Sequence, residues 1–315
     1  MNRILVIRGG ALGDFLLTLP AIRLLREAFP AAHLEVLGYQ HIVRLSEMGG
    51  YANATRSIEN GALAGFFARD GELAPGLVEY FGSFQQIVSY LFDPDQIFAG
   101  NLRRAGVRHL ITGSPKISGQ EHAARQLARP LERLGLYLVD PAAEIVPDDP
   151  FEVDPQLIAI HPGSGSERKN WPLDRFLQVV KTIVEKDKAR RFLLIGGEAD
   201  AARLGALEAA LPNDKREVAR HLPLPVLARR LRNCALFLGH DSGISHLAAA
   251  MGTPSILLFG PTDPAIWAPK NARVRVLHTM SGKMDEISTP QVLAAIEDPF
   301  KVGLGHNRRI ISPRA

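Results

Sequence analysis

Residues 235–267 constrain the fold of this chain more than any other stretch. Residues 235–238 form a short apolar run that is typical of a buried strand, and the sequence Gly-His-Asp-Ser-Gly at residues 239–243 interrupts it. Residues 243–251 predict a helix, which a glycine and a proline end before a second apolar strand begins. This order predicts a β-turn-α-β unit whose polar turn lies at the carboxyl end of a strand, where open α/β sheets bind ligands.

The turn at residues 239–243 has the features of an anion-binding site. Asp241 or Ser242 can cap the helix, free backbone N–H groups lie at the helix start, and Gly243 lets an anion approach closely. His246 follows Ser242 by four residues, which places both near one face of the first helical turn. The turn is equally consistent with a well-capped helix of an ordinary α/β protein, in which His246 is a surface histidine with its hydrogen bonds satisfied.

Length and composition predict a globular chain of two domains. The chain has 315 residues, of which 46% are hydrophobic and 22% charged, and this excludes a disordered protein. No run is long enough to cross a membrane, and the apolar run at residues 15–25 is interrupted by charges, so we expect no targeting segment. The single cysteine, Cys234, favours a reducing cytoplasm. The net charge of +4 suits anionic substrates or an acidic membrane surface, whereas the dispersed basic residues argue against nucleic acid.

The first half of the chain opens on a second glycine-rich turn. Residues 3–8 predict a buried strand, and we expect a helix to begin near Phe15, where Asp14 can serve as its cap. The glycines at positions 9, 10 and 13 lack the spacing of a dinucleotide-binding fingerprint, which counts against an oxidoreductase. We also expect strands at residues 34–38, 87–91 and 109–112 and a helix at residues 120–134.

A proline-rich, acidic segment at residues 139–155 predicts a linker. We therefore place an α/β domain at residues 1–150, a second at residues 151–300 and a tail at residues 301–315. The second domain repeats the strand-turn-helix order, with turns at residues 162–166, 196–198 and 239–243. These turns should meet at one edge of a parallel sheet and form a ligand crevice.

Three strings of this sequence resemble the signatures of glycosyltransferase family 9, the bacterial heptosyltransferases. They are R-x-x-A-L-G-D-x-x-L-x-x-P-A at residues 8–21, H-P-G-x-G-S-x-x-K-x-W-P at residues 161–172, and D-S-G-x-x-H-L-A-A-A-x-G-x-P with F-G-P-T-D-P at residues 241–264. The resemblance implies a GT-B fold, in which two Rossmann-like domains face each other across a cleft. It implies a nucleotide-sugar donor on the second domain and an acceptor on the first. The resemblance is thin over residues 40–140.

The resemblance also implies roles for individual residues. Asp14 would be the general base, and Lys169 would bind the phosphates of the donor. Glu198 would accept hydrogen bonds from the donor's ribose, and Leu222 would cover its base. The remaining donor-binding positions are Ser164, Gly165, Asp241, Ser242, Gly243 and His246, and the positions expected near the acceptor are Gly10, Ala11 and Gly13. The alternatives are a helix cap for Asp14, a surface lysine for Lys169 and a helix-start carboxylate for Glu198.

Two further features bear on the site and its surroundings. The Asp-Pro-Asp sequence at residues 93–95 is similar to a metal-binding pair of aspartates in the other large glycosyltransferase fold, but its proline favours a turn.

The resemblance suggests that the last helix, at residues 289–296, returns to the first domain. The basic tail residues Arg308, Arg309 and Arg314 would suit such a return, or they are simply frayed.

These inferences predict a cytoplasmic, metal-independent, inverting glycosyltransferase that transfers heptose from ADP-heptose to an acceptor of the lipopolysaccharide-core type. We expect no cofactor, a glycolipid or oligosaccharide acceptor, peripheral contact with the inner membrane surface, and a monomer. Basic and acidic residues are nearly balanced over residues 41–130, although an acidic acceptor would favour a positive excess there. Another sugar and acceptor, or a nucleotide-sugar binding module without turnover, therefore remain open.

Overall fold

A computed structural model of the protein describes residues 2–298, which form two parallel sheets surrounded by helices. The strands of the first sheet are β1 (Arg3–Arg8), β2 (His33–Gly38), β3 (Ala54–Ser57), β4 (Gln86–Ser89) and β5 (Leu110–Thr112), in the order β3-β2-β1-β4-β5. The helices between and after them are α1 (Leu12–Ala28), α2 (Gln40–Met48), α3 (Pro75–Gly82), α4 (Ile97–Arg104) and α5 (Ala123–Ala128). Short 3-10 helices add Gly61–Phe67 and Arg129–Leu134.

The second sheet is larger and repeats the same alternation of strand and helix. Its strands are β6 (Asp154–Ile160), β7 (Arg191–Gly196), β8 (Arg216–Arg220), β9 (Cys234–His240), β10 (Ser255–Phe259) and β11 (Val274–His278), in the order β11-β10-β9-β6-β7-β8. Its helices are α6 (Leu173–Lys186), α7 (Ala201–Ala210), α8 (Leu224–Arg232), α9 (Gly243–Ala250), α10 (Pro264–Trp267) and α11 (Thr289–Glu297). Short 3-10 helices lie at Glu167–Lys169, Glu198–Asp200, Asn213–Lys215 and Met284–Glu286.

The strands follow from continuous apolar runs in the sequence. β1 begins and ends where the sequence predicts, and four of its residues are fully buried: Ile4, Leu5, Val6 and Ile7. It pairs in parallel with β2 and β4, and parallel strands covered by helices on both faces are expected to be apolar throughout. The strand-turn-helix-strand unit around residues 235–259 is also present, as β9, α9 and β10. The predicted α/β architecture is therefore confirmed.

Helix α1 differs from the prediction at its start. It begins at Leu12 instead of near Phe15, so Asp14 is the third residue of the helix and not its cap. The Asp14 carboxylate accepts a hydrogen bond of 3.0 Å from the backbone N–H of Ala11, which closes the first turn. Gly10, with φ of +99°, lets the chain leave β1 and turn into the helix. Interpreting Asp14 as the residue that caps a helix at Phe15 is therefore wrong.

The predicted helix at residues 120–134 is also shorter than expected. The α-helical part is α5 (Ala123–Ala128), and the chain continues as the 3-10 helix Arg129–Leu134. Pro130 has no N–H, so it cannot donate the hydrogen bond that would continue the α-helix. The proline therefore ends α5, and the chain continues as the 3-10 helix.

The proline-rich segment is fixed to both halves of the molecule. Tyr51 in the first half donates its hydroxyl to the carbonyl of Glu144 over 2.9 Å. The next backbone N–H, that of Ile145, donates to the carbonyl of Ala250 in the second half over 2.8 Å. Residues 139–153 contain no helix or strand, as expected for a linker. The domain limits at residues 150 and 300 remain a prediction.

The end of the described chain packs on the second sheet. α11 contacts α6 and β10, so the expected return of this helix to the first domain is wrong within residues 2–298. The basic tail residues Arg308, Arg309 and Arg314 lie outside the described residues.

Cys234 is buried, as expected, and burial raises the pKa of its thiol to about 12. Over residues 2–298 no helix is long and apolar enough to cross a membrane.

The two halves touch where the ends of β1 and β9 face each other. α1 packs against α9, and a Cβ atom placed on Gly243 would lie 2.8 Å from Cβ of Leu12 and 3.0 Å from the backbone nitrogen of Gly13. A second contact joins Nε2 of His122 to the carbonyl of Ala268 over 3.0 Å. The glycine at position 243 therefore permits the close approach of the two glycine-rich turns.

Substituting this glycine should separate the turns. We expect Gly243→Ala to lower the melting temperature, because overpacking a close contact costs about 1–3 kcal/mol. Gly205→Ala is the matched control, since it lies inside α7 and its added Cβ would meet no atom within 4 Å. There we expect stabilisation by about 0.5–1 kcal/mol, the usual gain of alanine over glycine in a helix. Equal melting temperatures for the two variants would contradict the close contact.

Candidate active site

Three loops converge at one edge of the second sheet. β9, β6 and β7 are neighbours in that sheet and run parallel, so the loops that follow them lie together. Ser242 Oγ, after β9, lies 3.3 Å from Nδ1 of His161, after β6. Nε2 of His161 lies 3.3 Å from Oδ2 of Asp200, after β7. The predicted convergence of residues 162–166, 196–198 and 239–243 is therefore confirmed.

The ion pair between Lys169 and Asp241 joins two of these loops. Nζ of Lys169 lies 2.7 Å from Oδ2 of Asp241, and the side chains are 30% and 11% exposed. Thr262 donates its hydroxyl to the same carboxylate oxygen over 2.8 Å. Ser242, and not Asp241, caps α9, because its side chain accepts from the backbone N–H of Ser245. Lys169 is thus a half-buried, paired lysine beside a helix N-terminus, and the surface-lysine alternative is wrong.

Asp200 is a buried carboxylate that supports the loop after β6. Burial alone would raise its pKa, but the hydrogen bond and charge of His161 and the N–H of Gly197 outweigh it and lower the pKa. A Cβ atom on Gly163 would lie 1.6 Å from Oδ1 of Asp200, so only glycine fits there. The Asp200 carboxylate therefore stays ionised and holds the glycine-serine loop against β7.

His240 is a structural histidine that sequence reasoning missed. Its Nε2 accepts the backbone N–H of Trp171 over 2.8 Å, and its Nδ1 donates to the carbonyl of Gly163 over 3.1 Å. Burial lowers the pKa of His240 to about 3, so the ring is neutral at physiological pH. It locks the loop after β6 onto the end of β9. The only sequence signal was its place between an apolar strand and Asp241.

His246 lies at the contact between the two halves. It is 5% exposed, and its Cδ2 is 3.9 Å from the position that a Cβ on Gly13 would take. Burial lowers its pKa, and charges on Asp241, Lys169 and Asp14 also act on the ring. Within residues 2–298 its ring nitrogens have no hydrogen-bond partner. The alternative of a surface histidine with satisfied hydrogen bonds is therefore wrong.

Arg8 holds Asp14 in place on the opposite side of that contact. Arg8 is 4% exposed and donates from Nε to Oγ1 of Thr18 over 3.0 Å and from a terminal nitrogen to the carbonyl of Asp14 over 3.4 Å. The same nitrogen lies 3.7 Å from the Asp14 carboxylate, whose side chain is 42% exposed. Asp14 therefore combines a fixed position with an accessible carboxylate. Sequence reasoning used Arg8 only as part of a motif.

The other predicted site residues lie at the same sheet edges. Gly10, Ala11 and Gly13 form the turn between β1 and α1 or its first residues. Ser164 uses its hydroxyl within its own loop, 2.7 Å from the carbonyl of Ser166 and 2.8 Å from Oδ1 of Asn170. The positions that remain open to solvent or half-buried at the ends of β6, β7 and β8 are Gly165, Glu198 and Leu222.

The Asp-Pro-Asp sequence is a turn, as expected. Asp93 accepts hydrogen bonds from the backbone N–H groups of Phe98 and Ala99, over 3.2 and 2.8 Å. It thereby provides partners for N–H groups in the first turn of α4, which have none within the helix. Among residues 2–298 no group of three or more His, Cys, Asp or Glu side chains is placed to hold a metal ion. Asp93 thus has a structural use that requires no metal.

The architecture is that of the GT-B glycosyltransferases. The ADP-heptose lps heptosyltransferase II of Escherichia coli superposes with a TM-score of 0.75 at 17% identity, over 94% of this chain and 98% of that one. The Escherichia coli heptosyltransferase WaaC with ADP superposes with a TM-score of 0.72 at 18% identity, over 94% of this chain and 99% of that one. At these identities the likeness shows the fold, and it confirms the expected GT-B class.

The sequence comparisons define the family. The profile of Glycosyltransferase family 9 (heptosyltransferase) matches residues 119–296, more than half of the chain. Lipopolysaccharide heptosyltransferase 3 of Escherichia coli is 26% identical over 286 residues, which are 82% of this chain and 82% of that protein. Lipopolysaccharide heptosyltransferase 1 of Pseudomonas aeruginosa is 33% identical over 142 residues, which are 45% of this chain and 38% of that protein. The chain belongs to glycosyltransferase family 9 and is a glycosyltransferase of the heptosyltransferase family.

The buried histidines predict how stability depends on pH. An unfolded histidine binds a proton near pH 6.5, whereas His240 and His246 have lowered pKa values in the folded state. The unfolded state therefore binds more protons as the pH falls from about 6.5 toward 4. Over that window each of these histidines should lower the free energy of unfolding by about 1.4 kcal/mol per pH unit. Urea unfolding at several pH values measures this slope.

A variant isolates one of the two histidines. In His246→Gln the unfolded state loses one proton-binding group. The free energy of unfolding of this variant should therefore fall less steeply with decreasing pH than that of the wild type. His109→Gln, at an exposed position, should keep the wild-type slope. A wild-type slope in His246→Gln would contradict a lowered pKa for His246.

Proposed function

We propose that the protein is an inverting, metal-independent glycosyltransferase that transfers heptose from ADP-heptose to an acceptor of the lipopolysaccharide-core type. One observation carries this proposal. The exposed carboxylate of Asp14 and the Lys169–Asp241 pair lie on opposite sides of the contact between Gly13 and Gly243. Asp14, Lys169 and Asp241 all influence the pKa of His246, which lies at that contact. In this proposal a base and a phosphate-binding lysine face one shared space.

The donor's diphosphate binds at the N-terminus of α9 in this proposal. Backbone N–H groups at Ser242 and Gly243 and the ammonium of Lys169 supply positive charge there. Glu198 accepts from the ribose, and Leu222 covers the base. Ser164, Gly165, Asp241 and His246 complete the donor side, while Gly10, Ala11 and Gly13 lie on the acceptor side. Two solved structures of the Escherichia coli heptosyltransferase WaaC, one with ADP and one with ADP-2-deoxy-2-fluoro heptose, support ADP-heptose as the donor.

The reaction is a direct displacement at the anomeric carbon. Asp14 takes the proton from the acceptor hydroxyl, and the hydroxyl oxygen attacks the anomeric carbon. The bond from that carbon to the diphosphate breaks on the opposite face, so the configuration inverts. Lys169 and the amide groups near Ser242 and Gly243 stabilise the charge on the departing diphosphate. This arrangement assigns to Lys169 the neutralisation that a metal ion performs in other enzymes.

The biological setting completes the proposal. The curated relatives carry lipopolysaccharide heptosyltransferase as their name, which supports an acceptor of that class. We place the enzyme in the cytoplasm as a monomer, with peripheral contact at the inner membrane surface, and its net charge of +4 is compatible with an acidic membrane. The division into an acceptor domain at residues 1–150 and a donor domain at residues 151–300 is part of the same proposal.

Asp14→Asn tests the base. The amide oxygen can still accept from the N–H of Ala11, so stability should change by only a few tenths of a kcal/mol. The amide cannot take a proton, so the single-turnover rate of ADP release should fall by about 10²–10⁴. ADP affinity, measured by calorimetry, should barely change, because the nucleotide contacts lie in the other domain.

The control for this variant is Glu27→Gln. Glu27 is an exposed carboxylate at the other end of α1, and its loss should leave turnover unchanged. Normal turnover in Asp14→Asn would reduce Asp14 to a structural residue of the first helical turn. Wild-type binding of ADP-heptose with no transfer to any core acceptor would instead favour a binding module.

Lys169→Ala and Asp241→Asn test the donor side with opposite expectations. A charged hydrogen bond to phosphate is worth about 1.5–3 kcal/mol, so Lys169→Ala should weaken ADP binding about tenfold to a hundredfold. Asp241→Asn removes the carboxylate that competes for Lys169, so it should preserve or tighten ADP binding. Calorimetry with ADP measures both, and Lys181→Ala, an exposed lysine on α6, controls for net charge. Equal ADP affinity in Lys169→Ala and Lys181→Ala would exclude Lys169 as a phosphate ligand.

A further inference from the structure

A cavity lies in the first half of the molecule, at the carboxyl ends of β4 and β5. Its volume is about 340 Å³. Leu91, which lines it, has its Cδ2 3.4 Å from the position that a Cβ on Gly9 would take. The cavity therefore adjoins the turn that carries Asp14. The strand order β3-β2-β1-β4-β5 reverses direction between β1 and β4, where open α/β sheets bind ligands, and this cavity lies one strand further along, between β4 and β5.

The lining of this cavity combines a few hydroxyl groups with apolar side chains. Ser89, Thr112 and Ser114 bring hydroxyl groups to it, and no Lys, Arg or His among residues 2–298 lines it. Asp93 is the single carboxylate in the lining of the described part of the chain, and both of its oxygens already accept backbone N–H groups of α4. The lining can therefore pair with hydroxyl groups, and the charged group that it contains among the described residues, Asp93, is a carboxylate that would repel an anion.

Phe92 gives the cavity an exposed aromatic face. The side chain is 61% exposed, so most of its ring is accessible from the cavity and from solvent. Nζ of Lys116 lies 4.1 Å from the ring centroid, at the rim of the cavity. An apolar ring among a few hydroxyl groups is the combination by which binding pockets hold small polar ligands. The apolar C–H face of a sugar ring can stack on such a surface.

Gln96 adds an amide held by a rare backbone conformation. Its φ is +54°, a left-handed value that few residues other than glycine adopt. Its backbone N–H donates to the carbonyl of Asp93 over 3.1 Å, and its side chain makes no hydrogen bond within residues 2–298. Strained residues of this kind cluster at ligand sites. The amide can both donate and accept, as neighbouring sugar hydroxyls require.

We propose that this cavity binds an uncharged sugar unit of the acceptor, with Phe92 as the stacking surface and Gln96 as the residue that selects its hydroxyl pattern. The proposal rests on the proposed function, because it needs Asp14 to be the base beside which the acceptor lies. It narrows the acceptor to a saccharide whose unit next to the reacting hydroxyl carries no phosphate or carboxylate. Neither Phe92 nor Gln96 belongs to the base or to the diphosphate site.

Binding of simple glycosides to the full chain tests the proposal. The probes are methyl glycosides of glucose, galactose and mannose, with methyl glucuronide and glucose 6-phosphate as charged counterparts, titrated by saturation-transfer NMR. Neutral glycosides should bind better than charged ones. Phe92→Leu should weaken the neutral glycosides about threefold to tenfold, the usual range for a lost aromatic contact, and Phe92→Tyr should stay within about twofold of the wild type.

Two controls separate the ring from other effects. Phe151→Leu removes another exposed phenylalanine with a cation over its ring, Arg232 at 3.7 Å, and should leave glycoside binding unchanged. Lys116→Gln removes the cation at the rim and should also leave neutral binding unchanged. Melting temperatures of all variants should match the wild type, because Phe92, Lys116 and Phe151 are exposed.

Two results would overturn the proposal. Tighter binding of the charged sugars, lost in Lys116→Gln, would make this an anionic subsite. Equal binding by Phe92→Leu and the wild type, or no binding of any glycoside, would remove the cavity from the acceptor site. The probes need no donor, so these results leave ADP binding and the Asp14→Asn measurement intact. Failure of those measurements would contradict the proposed function instead.

Discussion

The backbone contact between Gly13 and Gly243 is the constraint on which the rest of the site depends. Each glycine lies where a helix starts after a central strand. The contact therefore brings the carboxyl ends of β1 and β9 together. A side chain at position 243 would meet Cβ of Leu12 at 2.8 Å and push α1 and α9 apart. Asp14 is the next residue after Gly13, and Asp241 lies two before Gly243. The distance between Asp14 and Asp241 is therefore set by two residues without side chains.

The charge balance at this contact follows from burial. His240 and His246 are neutral at physiological pH because burial lowers their pKa values. Arg8 points inward and donates to Thr18 and to the carbonyl of Asp14, so its guanidinium group holds α1 in place. The cation that faces the N-terminus of α9 is then Lys169. Under the proposed function, the donor's diphosphate would meet the ammonium of Lys169 and a set of fixed backbone dipoles there, and fixed dipoles need no reorganisation during the reaction.

The fold was more predictable than the contacts of the site. Parallel strands buried on both faces appear in the sequence as apolar runs, which is why β1 was placed at its true limits. The start of α1 was misplaced because Ala11 is not a typical cap and the bond from its N–H to Asp14 is made in the folded turn. Lys169 and Asp241 are 72 positions apart, and no local pattern reveals that they pair. The cavity beside Phe92 was missed because its signal, an exposed ring, exists only in three dimensions.

The Lys169–Asp241 pair also determines what a donor must contain under the proposed function. The ammonium already has a carboxylate partner at 2.7 Å, so a neutral nucleoside would gain nothing by separating the two. A diphosphate can replace the carboxylate with a charged hydrogen bond worth about 1.5–3 kcal/mol. Thr262 donates to the same oxygen of Asp241 over 2.8 Å, so that carboxylate keeps a partner when the lysine turns away. The exchange therefore favours a diphosphate over its nucleoside and keeps Lys169 close to its site in the absence of donor.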